Sequence, residues 1–442
     1  MSAPELKAQR VYGQVFWLAY LANALTMIAL WILVRYADFV THLGGAEGQL
    51  GLIVGVGMVG SLIMRFGQGI GIDRVGARTI WLWSLVFLAL SLLAHCLIQS
   101  ATSPTIFLVR ILMQTSVAGV FGASITYISR RVPPQRMAEI IGTLGTSGFI
   151  GILIGPQIAD WICSGETIDR GQLNQLFLTA GCLVGVSFLA AWGATRGQSI
   201  KPVRRSPNLF ALMRRYHPGV VMLVAAAVGA GVSVPTTFLR TYAAEIQIQQ
   251  IGLFFGTYAI TAFAVRMLAR RQFERHGNRV WVMWGLAALI CSMLLYLTVR
   301  TTWQLMIPGS MAGVAHALLF PSVVASGSTA FPERYRGLGT TLMLGMFDAG
   351  ALIGAPAVGG ILHFAHRFGF PAYPMMFCCV ALVMTLIAVI FWIRTGTTAA
   401  SSSRLRSTPR RRKRRPSVPP QTSTARAESE RTNQADYCKT ND

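Results

Sequence analysis

GIGIDRVGAR, residues 69–78, sets three charged residues among glycines between two long apolar runs. The chain has 442 residues, of which 53% are hydrophobic and 12% are charged, whereas about a quarter of a soluble domain is charged. About twelve apolar runs follow one another, each long enough for the ~20 helical residues that cross a hydrocarbon core. Since none alternates in polarity as barrel strands do, the sequence predicts an all-α integral membrane protein. The quoted stretch would then be a short charged loop.

The predicted membrane helices form two sets of six. The first set lies near residues 11–34, 49–71, 79–100, 105–128, 139–162 and 173–195. The second set lies near 218–239, 249–271, 280–299, 303–329, 337–362 and 372–395. Lys and Arg concentrate in the loops on one side, so the positive-inside rule predicts that both termini are cytoplasmic.

The net charge of +23 arises mostly from these loops and from a basic tail. Residues 396–442 are rich in Ser, Thr, Pro and Arg and contain RRRKRR at 410–415. We expect a disordered cytoplasmic tail that is attracted to anionic lipid, and no nucleic-acid partner. The seven cysteines form neither a disulfide framework nor a CxxC metal pair, so neither a metal nor a cofactor is expected.

The two halves of the chain repeat each other. Matching residues are separated by 201 positions: Arg65 and Arg266, Asp73 and Glu274, Arg74 and Arg275, Gly76 and Gly277, Arg78 and Arg279. The sequence thus predicts a six-helix half at 1–195, a basic cytoplasmic linker at 196–217, a second half at 218–395, and the tail. Parallel halves of this kind are typical of secondary transporters that hold their substrate between the halves.

The quoted stretch resembles the signature of the major facilitator superfamily, between its second and third helices. The residues that carry the resemblance are Gly69, Asp73, Arg74, Gly76 and Arg78, with a degenerate second copy at Glu274, Arg275, Gly277 and Arg279. In that copy Arg270 replaces the first glycine. The resemblance covers the chain to about residue 395 and implies the family's fold, twelve membrane helices in two parallel six-helix repeats.

The resemblance also implies that this loop is a conformational switch. Gly69 and Gly76 would let the backbone approach closely and turn tightly. Asp73 would pair with an arginine or a helix N-terminus across the halves when the protein faces outward, and release it when the protein opens inward. Alternatively, the arginines of the loop only set the topology.

A second, partial resemblance lies in the fourth predicted helix. Arg110 and Gln114 match a family motif, but Thr115 stands where the family has glycine. The motif implies that Arg110 takes part in proton coupling or anchors the substrate.

Small residues at four-residue spacing indicate close helix packing. They are Gly51 and Gly55, Gly252 and Gly256, Gly151 and Gly155, and Gly350 and Gly354. These surfaces could be static or could slide between the halves. The stretch from Gly151 to Pro156 also resembles the antiporter motif of the fifth helix, where Pro156 would bend the helix, although Ala159 and Asp160 replace its trailing glycines.

Ionisable groups inside a membrane are expensive and are functional candidates. Asp348 is expected close to the midplane, as a proton carrier, a counter-charge for a cationic ligand, or a partner in a structural ion pair. His316 could relay protons, bind substrate, or be a core histidine, and His95 is a weaker candidate.

Two further arginines lie near predicted helix ends. Arg65 and Arg266 would either snorkel to the interface or face a cavity and favour an anionic substrate. Asp160 and Glu139, at other helix ends, are expected to be solvated.

These features predict a secondary transporter of a small organic solute, working as a monomer by alternating access. Proton-coupled efflux from a bacterial inner membrane is favoured by the antiporter-like motif and Asp348. Proton-coupled uptake, facilitated uniport and a non-transporting sensor or scaffold are the alternatives. An enzyme is not expected, because no helix carries a nucleophile beside a base or a paired His/Asp cluster.

Overall fold

The computed structural model describes residues 12–132, 136–165, 168–196, 209–269 and 272–407. Within these ranges, twelve helices are long and apolar enough to cross a membrane. In the first half they are α1 (Gln14–Ile32, continued by Leu33–Arg35 and Tyr36–His42), α2 (Glu47–Val75), α3 (Ala77–His95), α4 (Pro104–Ser129), α5 (Met137–Gly145 and Ser147–Ile162) and α6 (Arg170–Thr195). In the second half they are α7 (Val220–Glu245), α8 (Gly252–Ala269), α9 (Phe273–Leu295), α10 (Met306–Thr329), α11 (Arg336–Phe368) and α12 (Ala372–Ser407).

The helix ends follow from local sequence. The Ser103 hydroxyl accepts the amide of Thr105 at 3.3 Å, with Pro104 as the first helical residue. Gly76, at φ +90°, ends α2, and Gly277, at φ +67°, interrupts α9 at the equivalent repeat position. Both φ angles lie in the region that favours glycine. The internal repeat is therefore present in the backbone conformation as well as in the sequence.

Several helices differ in length from their predictions. α1 continues to His42, well past the predicted end at 34, because a 3-10 turn at Leu33–Arg35 carries the chain onward. A short helix, Leu209–Arg215, lies in the predicted linker, and α12 continues beyond 395 to Ser407. Linker residues 197–208 and tail residues 408–442 lie outside the described ranges, and the compact unit of the two halves ends at Thr395.

The helix pairings confirm the two six-helix repeats. In the first half, α1 packs on α5, α2 on α4, and α3 on α4; in the second, α7 packs on α11, α8 on α10, and α9 on α10. The halves meet where α2 packs against α11 and α5 against α8. Each of the twelve helices also carries a large apolar side chain that is 42% or more exposed, as expected of surfaces that face lipid.

The glycine pairs divide into two classes. Gly51 and Gly55 of α2 lie against Ala355 and Pro356 of α11, and Gly252 of α8 lies against Gln157 of α5, so these glycines line the boundary between halves. The remaining pairs pack inside a half: Gly151 and Gly155 against Met27 and Trp31 of α1, and Gly350 and Gly354 against Ala226 and Ala230 of α7. The glycine pairs therefore occur both within a half and at the boundary between the halves.

The two ends of the bundle are distinguished by their loops. We call the end that carries residues 43–46, 96–103 and 246–251 the distal end, and the end that carries 130–132 and 330–335 the proximal end.

Candidate functional site

Two adjoining cavities lie between the halves, each with a volume of about 300 Å³. The Asp348 cavity is lined mainly by apolar and aromatic side chains, together with Arg65, Asp348 and His316. The Arg110 cavity lies against α1 and α4. The lining residues common to both are Trp31, Val54, Met58, Thr236 and Thr237. A single elongated solute could therefore extend across both.

Asp348 joins the two halves inside its cavity. Its carboxylate forms an ion pair with the Nε of Arg65 and accepts a second bond from the Arg65 Nη2 at 3.3 Å. The Ser61 hydroxyl donates to the same carboxylate at 2.5 Å. Arg65 and Ser61 belong to α2 and Asp348 to α11. Arg65 thus faces the cavity rather than snorkelling, and Asp348 has the interior arginine partner considered from the sequence.

His316 lies in an aromatic pocket beside this pair. The Tyr258 hydroxyl shares a hydrogen bond with its Nδ1, and its ring centroid lies 5.6 Å from that of Phe320 and 6.3 Å from that of Phe149. The Arg266 guanidinium lies 5.2 Å from the Phe149 ring centroid. Although Arg266 matches Arg65 in the repeat, it forms no ion pair with any described carboxylate. The two halves therefore use equivalent arginines differently.

Arg110 is buried at the wall of the other cavity. Its guanidinium lies 4.2 Å from the Tyr36 ring centroid, and its Nη1 lies 3.8 Å from the Met113 sulfur. The Nε has no hydrogen-bond partner among the residues that the structure describes. His95 lies behind Tyr36, with 3.4 Å between its Nε2 and the Tyr36 hydroxyl, and it stacks on Phe177. His95 thus has the surroundings of a core histidine.

A buried charge network closes the distal end. Arg35 binds Asp160 at 2.9 Å and Asp38 at 3.2 Å, and Arg240 of the second half binds Asp38 at 2.9 Å. Arg35 also donates to the carbonyl of Gln249 at 2.6 Å. Because Arg35 is only 1% exposed, its charge is stabilised by these partners rather than by water. We call Arg35, Asp38, Asp160 and Arg240 the distal network.

Asp160 corrects a sequence expectation. It was expected to be solvated, but its side chain is 9% exposed. Its Oδ2 accepts the amides of Ile251 at 2.9 Å and Gly252 at 2.7 Å, where the start of α8 offers unpaired amides and a partial positive charge. Glu139 is exposed as expected, although it accepts bonds from Arg136 and Tyr12.

Sequence reasoning missed most of the distal network. The predicted helices near 11–34 and 218–239 end just before Arg35 and Arg240, but in the structure both residues lie within helical segments that continue past those ends. One signal was available, since Asp38 follows Arg35 by three residues, a spacing that brings helical side chains together.

The signature loop is only partly described. Gly69 lies inside α2, which runs to Val75, so the expected tight turn occurs at Gly76 alone. Arg74 is exposed and Arg78 is half-buried. In the second copy, Arg279 lies over the Trp392 ring and donates to its carbonyl oxygen at 3.0 Å. The side chains of Asp73, Glu274 and Arg275 lie outside the described residues.

Among the side chains that the structure describes, no group of three His, Cys, Asp or Glu residues could hold a metal ion. The cavities instead offer a paired acid, an arginine with no ion-pair partner among the described residues, and aromatic walls, which suit an organic solute.

Comparison with known proteins places this architecture in a family. The sequence profile of the Major Facilitator Superfamily matches residues 16–244 and 219–429. The chain belongs to the Major Facilitator Superfamily. It is therefore a multi-pass membrane protein with the fold of that family, a secondary transporter.

Its curated relatives include bacterial drug-resistance proteins. The multidrug resistance protein MdtG of Serratia proteamaculans is 24% identical over 414 residues, covering 85% of this chain and 92% of the relative. MdtG of Citrobacter koseri is 23% identical over 409 residues, with coverage of 85% and 93%.

Solved structures share the fold at low identity. The nucleoside transporter NupG has a TM-score of 0.68 at 16% identity, covering 86% of this chain and 98% of that chain. A D-xylose–proton symporter has a TM-score of 0.67 at 13% identity, with coverage of 85% and 96%.

Proposed function

We propose that this superfamily member exports a small organic solute in exchange for protons, with Asp348 as the proton carrier. The proposal rests above all on the bond that Asp348 makes across the halves to Arg65 and Ser61. Asp348 is the one acid among the described residues that line the two cavities. A proton that binds there therefore acts directly on the contact between α2 and α11.

Protonation of Asp348 would weaken this contact. The ionised carboxylate attracts the Arg65 guanidinium, and the neutral acid does not. Because the pair is only partly exposed, at 22% for Arg65 and 15% for Asp348, screening by water is incomplete. Proton binding would thus bias the equilibrium between two arrangements of the halves, as coupling requires.

The proposed orientation places the proximal end in the cytoplasm. The proximal loops carry arginine clusters such as Arg130 and Arg131, in keeping with the positive-inside rule. At the opposite end, the distal network ties the halves together. This arrangement fits a transporter that is open to the cytoplasm.

Alternating access then requires the distal network to break. Opening would separate Arg240 from Asp38 and the start of α8 from Asp160, while the proximal ends approach each other. In that outward-facing form, the loop at Asp73 would make its contact between the halves.

The test is proton release from inside-out membrane vesicles that contain the full chain. Respiration acidifies the vesicle interior, and a fluorescent amine reports the gradient while ethidium, norfloxacin or naphthylacetate is added. We expect at least one solute to collapse the gradient in the wild type and none to do so in Asp348→Asn. Glu333→Gln removes an acid that is 87% exposed and serves as the charge-matched control.

Two results would contradict the proposal. Proton release that persists in Asp348→Asn would exclude Asp348 as the carrier. Solute entry into wild-type vesicles without proton release would indicate facilitated uniport instead.

A further inference from the structure

The two cavities differ in charge. In the Asp348 cavity, the acid is already paired with Arg65. In the Arg110 cavity, the described lining includes no acid, and Arg110 forms no ion pair with any carboxylate in the described ranges. The pair of cavities therefore carries an uncompensated positive charge, and its location is Arg110.

Arg110 is too buried for water to solvate its charge. Its side chain is 8% exposed, and its Nε has no hydrogen-bond partner in the described part of the chain. The Tyr36 ring and the Met113 sulfur, its neighbours, are weak partners for a cation. A guanidinium left in this condition at membrane depth is costly and favours any ligand that supplies an acceptor.

Gln114, one turn further along α4, is a second donor whose neighbour is a weak acceptor. Its amide nitrogen donates to the Met58 sulfur at 3.2 Å, and it lines the same cavity as Arg110. Residues four apart on a helix share a face. The wall thus presents two strong donors whose acceptors among the described residues are thioether sulfurs, and an oxygen acceptor placed between the two donors would be a better partner for both.

The donors are also held in position. Gly57 of α2 leaves space for the Arg110 stem, since a Cβ there would lie 2.6 Å from the Arg110 Cγ. The Tyr36 ring beneath the guanidinium is in turn 5.6 Å from the ring of Phe39 and next to His95. A site with fixed donors binds an anion without a large cost of reorganisation.

We infer that the solute is an amphiphilic organic anion, whose carboxylate binds Arg110 and Gln114 and whose apolar body occupies the Asp348 cavity. This inference rests on the proposed transport function and names its substrate class. Phe254, Phe255 and Leu319 supply the apolar wall. Trp31, whose ring centroid lies 5.3 Å from that of Phe255, lines both cavities and would contact the middle of the solute.

The test compares three ligands of equal shape and different charge. Naphthylacetate, its neutral amide naphthylacetamide, and the cation naphthylethylamine are titrated by calorimetry into the purified full-length protein at neutral pH. We expect the carboxylate to bind about tenfold or more tightly than the amide, because charge-assisted hydrogen bonds are roughly twice as strong as neutral ones. The cation should bind most weakly.

Variants then locate the effect. Arg110→Gln should remove the preference for the carboxylate, so that acid and amide bind with similar affinity, and a melting temperature close to that of the wild type verifies that the variant is folded. Arg300→Gln removes an exposed guanidinium from a distal loop and should keep the preference. Equal binding of acid and amide, tighter binding of the cation, lack of carboxylate binding up to millimolar concentration, or a preference that survives Arg110→Gln would overturn the inference.

The vesicle assay separates this inference from the proposed function. Proton release driven by ethidium, but not by naphthylacetate, would retain proton-coupled export and contradict the anion site. Binding of naphthylacetate at Arg110 without proton release would retain the anion site and contradict the export mechanism.

Discussion

Asp160 accepts hydrogen bonds from Arg35 of its own half and from the backbone amides of Ile251 and Gly252 in the other half. This one carboxylate therefore links an arginine to a helix N-terminus, and its negative charge is attracted by both. Replacing it with asparagine would place an amide group against donors, leaving some of them unpaired. The distal end should then open more readily.

Cys163 lies next to the distal network and can report this opening. Its side chain is 3% exposed, and burial raises the pKa of its thiol from 9.0 to about 11. The reactive thiolate is therefore about a hundredfold scarcer at pH 8 than for a thiol of pKa 9. We expect a membrane-impermeant maleimide to modify Cys163 slowly, and faster as the pH rises toward 11.

The measurement is the rate of maleimide modification in a protein whose other cysteines are serine. Asp160→Asn should increase the rate for Cys163, since distal opening exposes the thiol. The control is Cys163→Ser with Ser164→Cys, because Ser164 is exposed and should react rapidly with or without Asp160→Asn. Equal rates for Cys163 and this control in the wild-type background would contradict distal closure.

The sequence identifies candidate residues but does not predict which residues they contact. Asp348 and Arg65 could each be selected because a charge inside an apolar run is unusual. Their pairing could not be predicted, because 283 positions separate the two residues in sequence and only the contact between α2 and α11 brings them together. Asp160 was misjudged for the same reason, since its amide partners lie 91 and 92 positions away.

The helices could be predicted from local sequence more completely than the contacts of individual residues. Apolar runs predicted twelve spans, and the spacing of 201 predicted their repeat, because both depend on properties that each segment carries alone. The ends of α1 and α12 were less predictable, since a helix can continue through polar residues. Which glycines pack within a half and which between halves depends on the tertiary contacts.

Two glycines of α11 should respond oppositely to the same substitution. A Cβ on Gly350 would collide with the backbone of Ala226 in α7, whereas one on Gly360 would meet no atom within 4 Å. Gly350→Ala should lower the melting temperature, with a cost of about 1–3 kcal/mol for overpacking. Gly360→Ala should leave it unchanged or raise it, because alanine favours helices by up to about 1 kcal/mol over glycine.

Thermal unfolding of the two purified variants in the same detergent provides the measurement. Each variant is the other's control, since both add one methyl group to the same helix. Similar shifts of the melting temperature for both would contradict the close packing of α7 on α11.

For the whole molecule, we expect the charge at Asp348 to control which end is open. The ion pair with Arg65 is present in the distally closed arrangement, so its loss removes stabilisation from that arrangement. An interaction made in one state shifts the population away from that state when it is removed. The substitution Asp348→Asn should therefore favour distal opening without any added solute.

The most direct measurement is a pair of distance distributions from double electron–electron resonance on the full chain, with native cysteines replaced. Spin labels at His42 and Gln250 span the distal end, and labels at Val75 and Thr329 span the proximal end, all at exposed positions. We expect Asp348→Asn to lengthen the distal distances and to shorten the proximal ones, whereas Glu333→Gln should change neither. Distributions for Asp348→Asn that match the wild type at both ends would show that the charge at Asp348 does not control the opening.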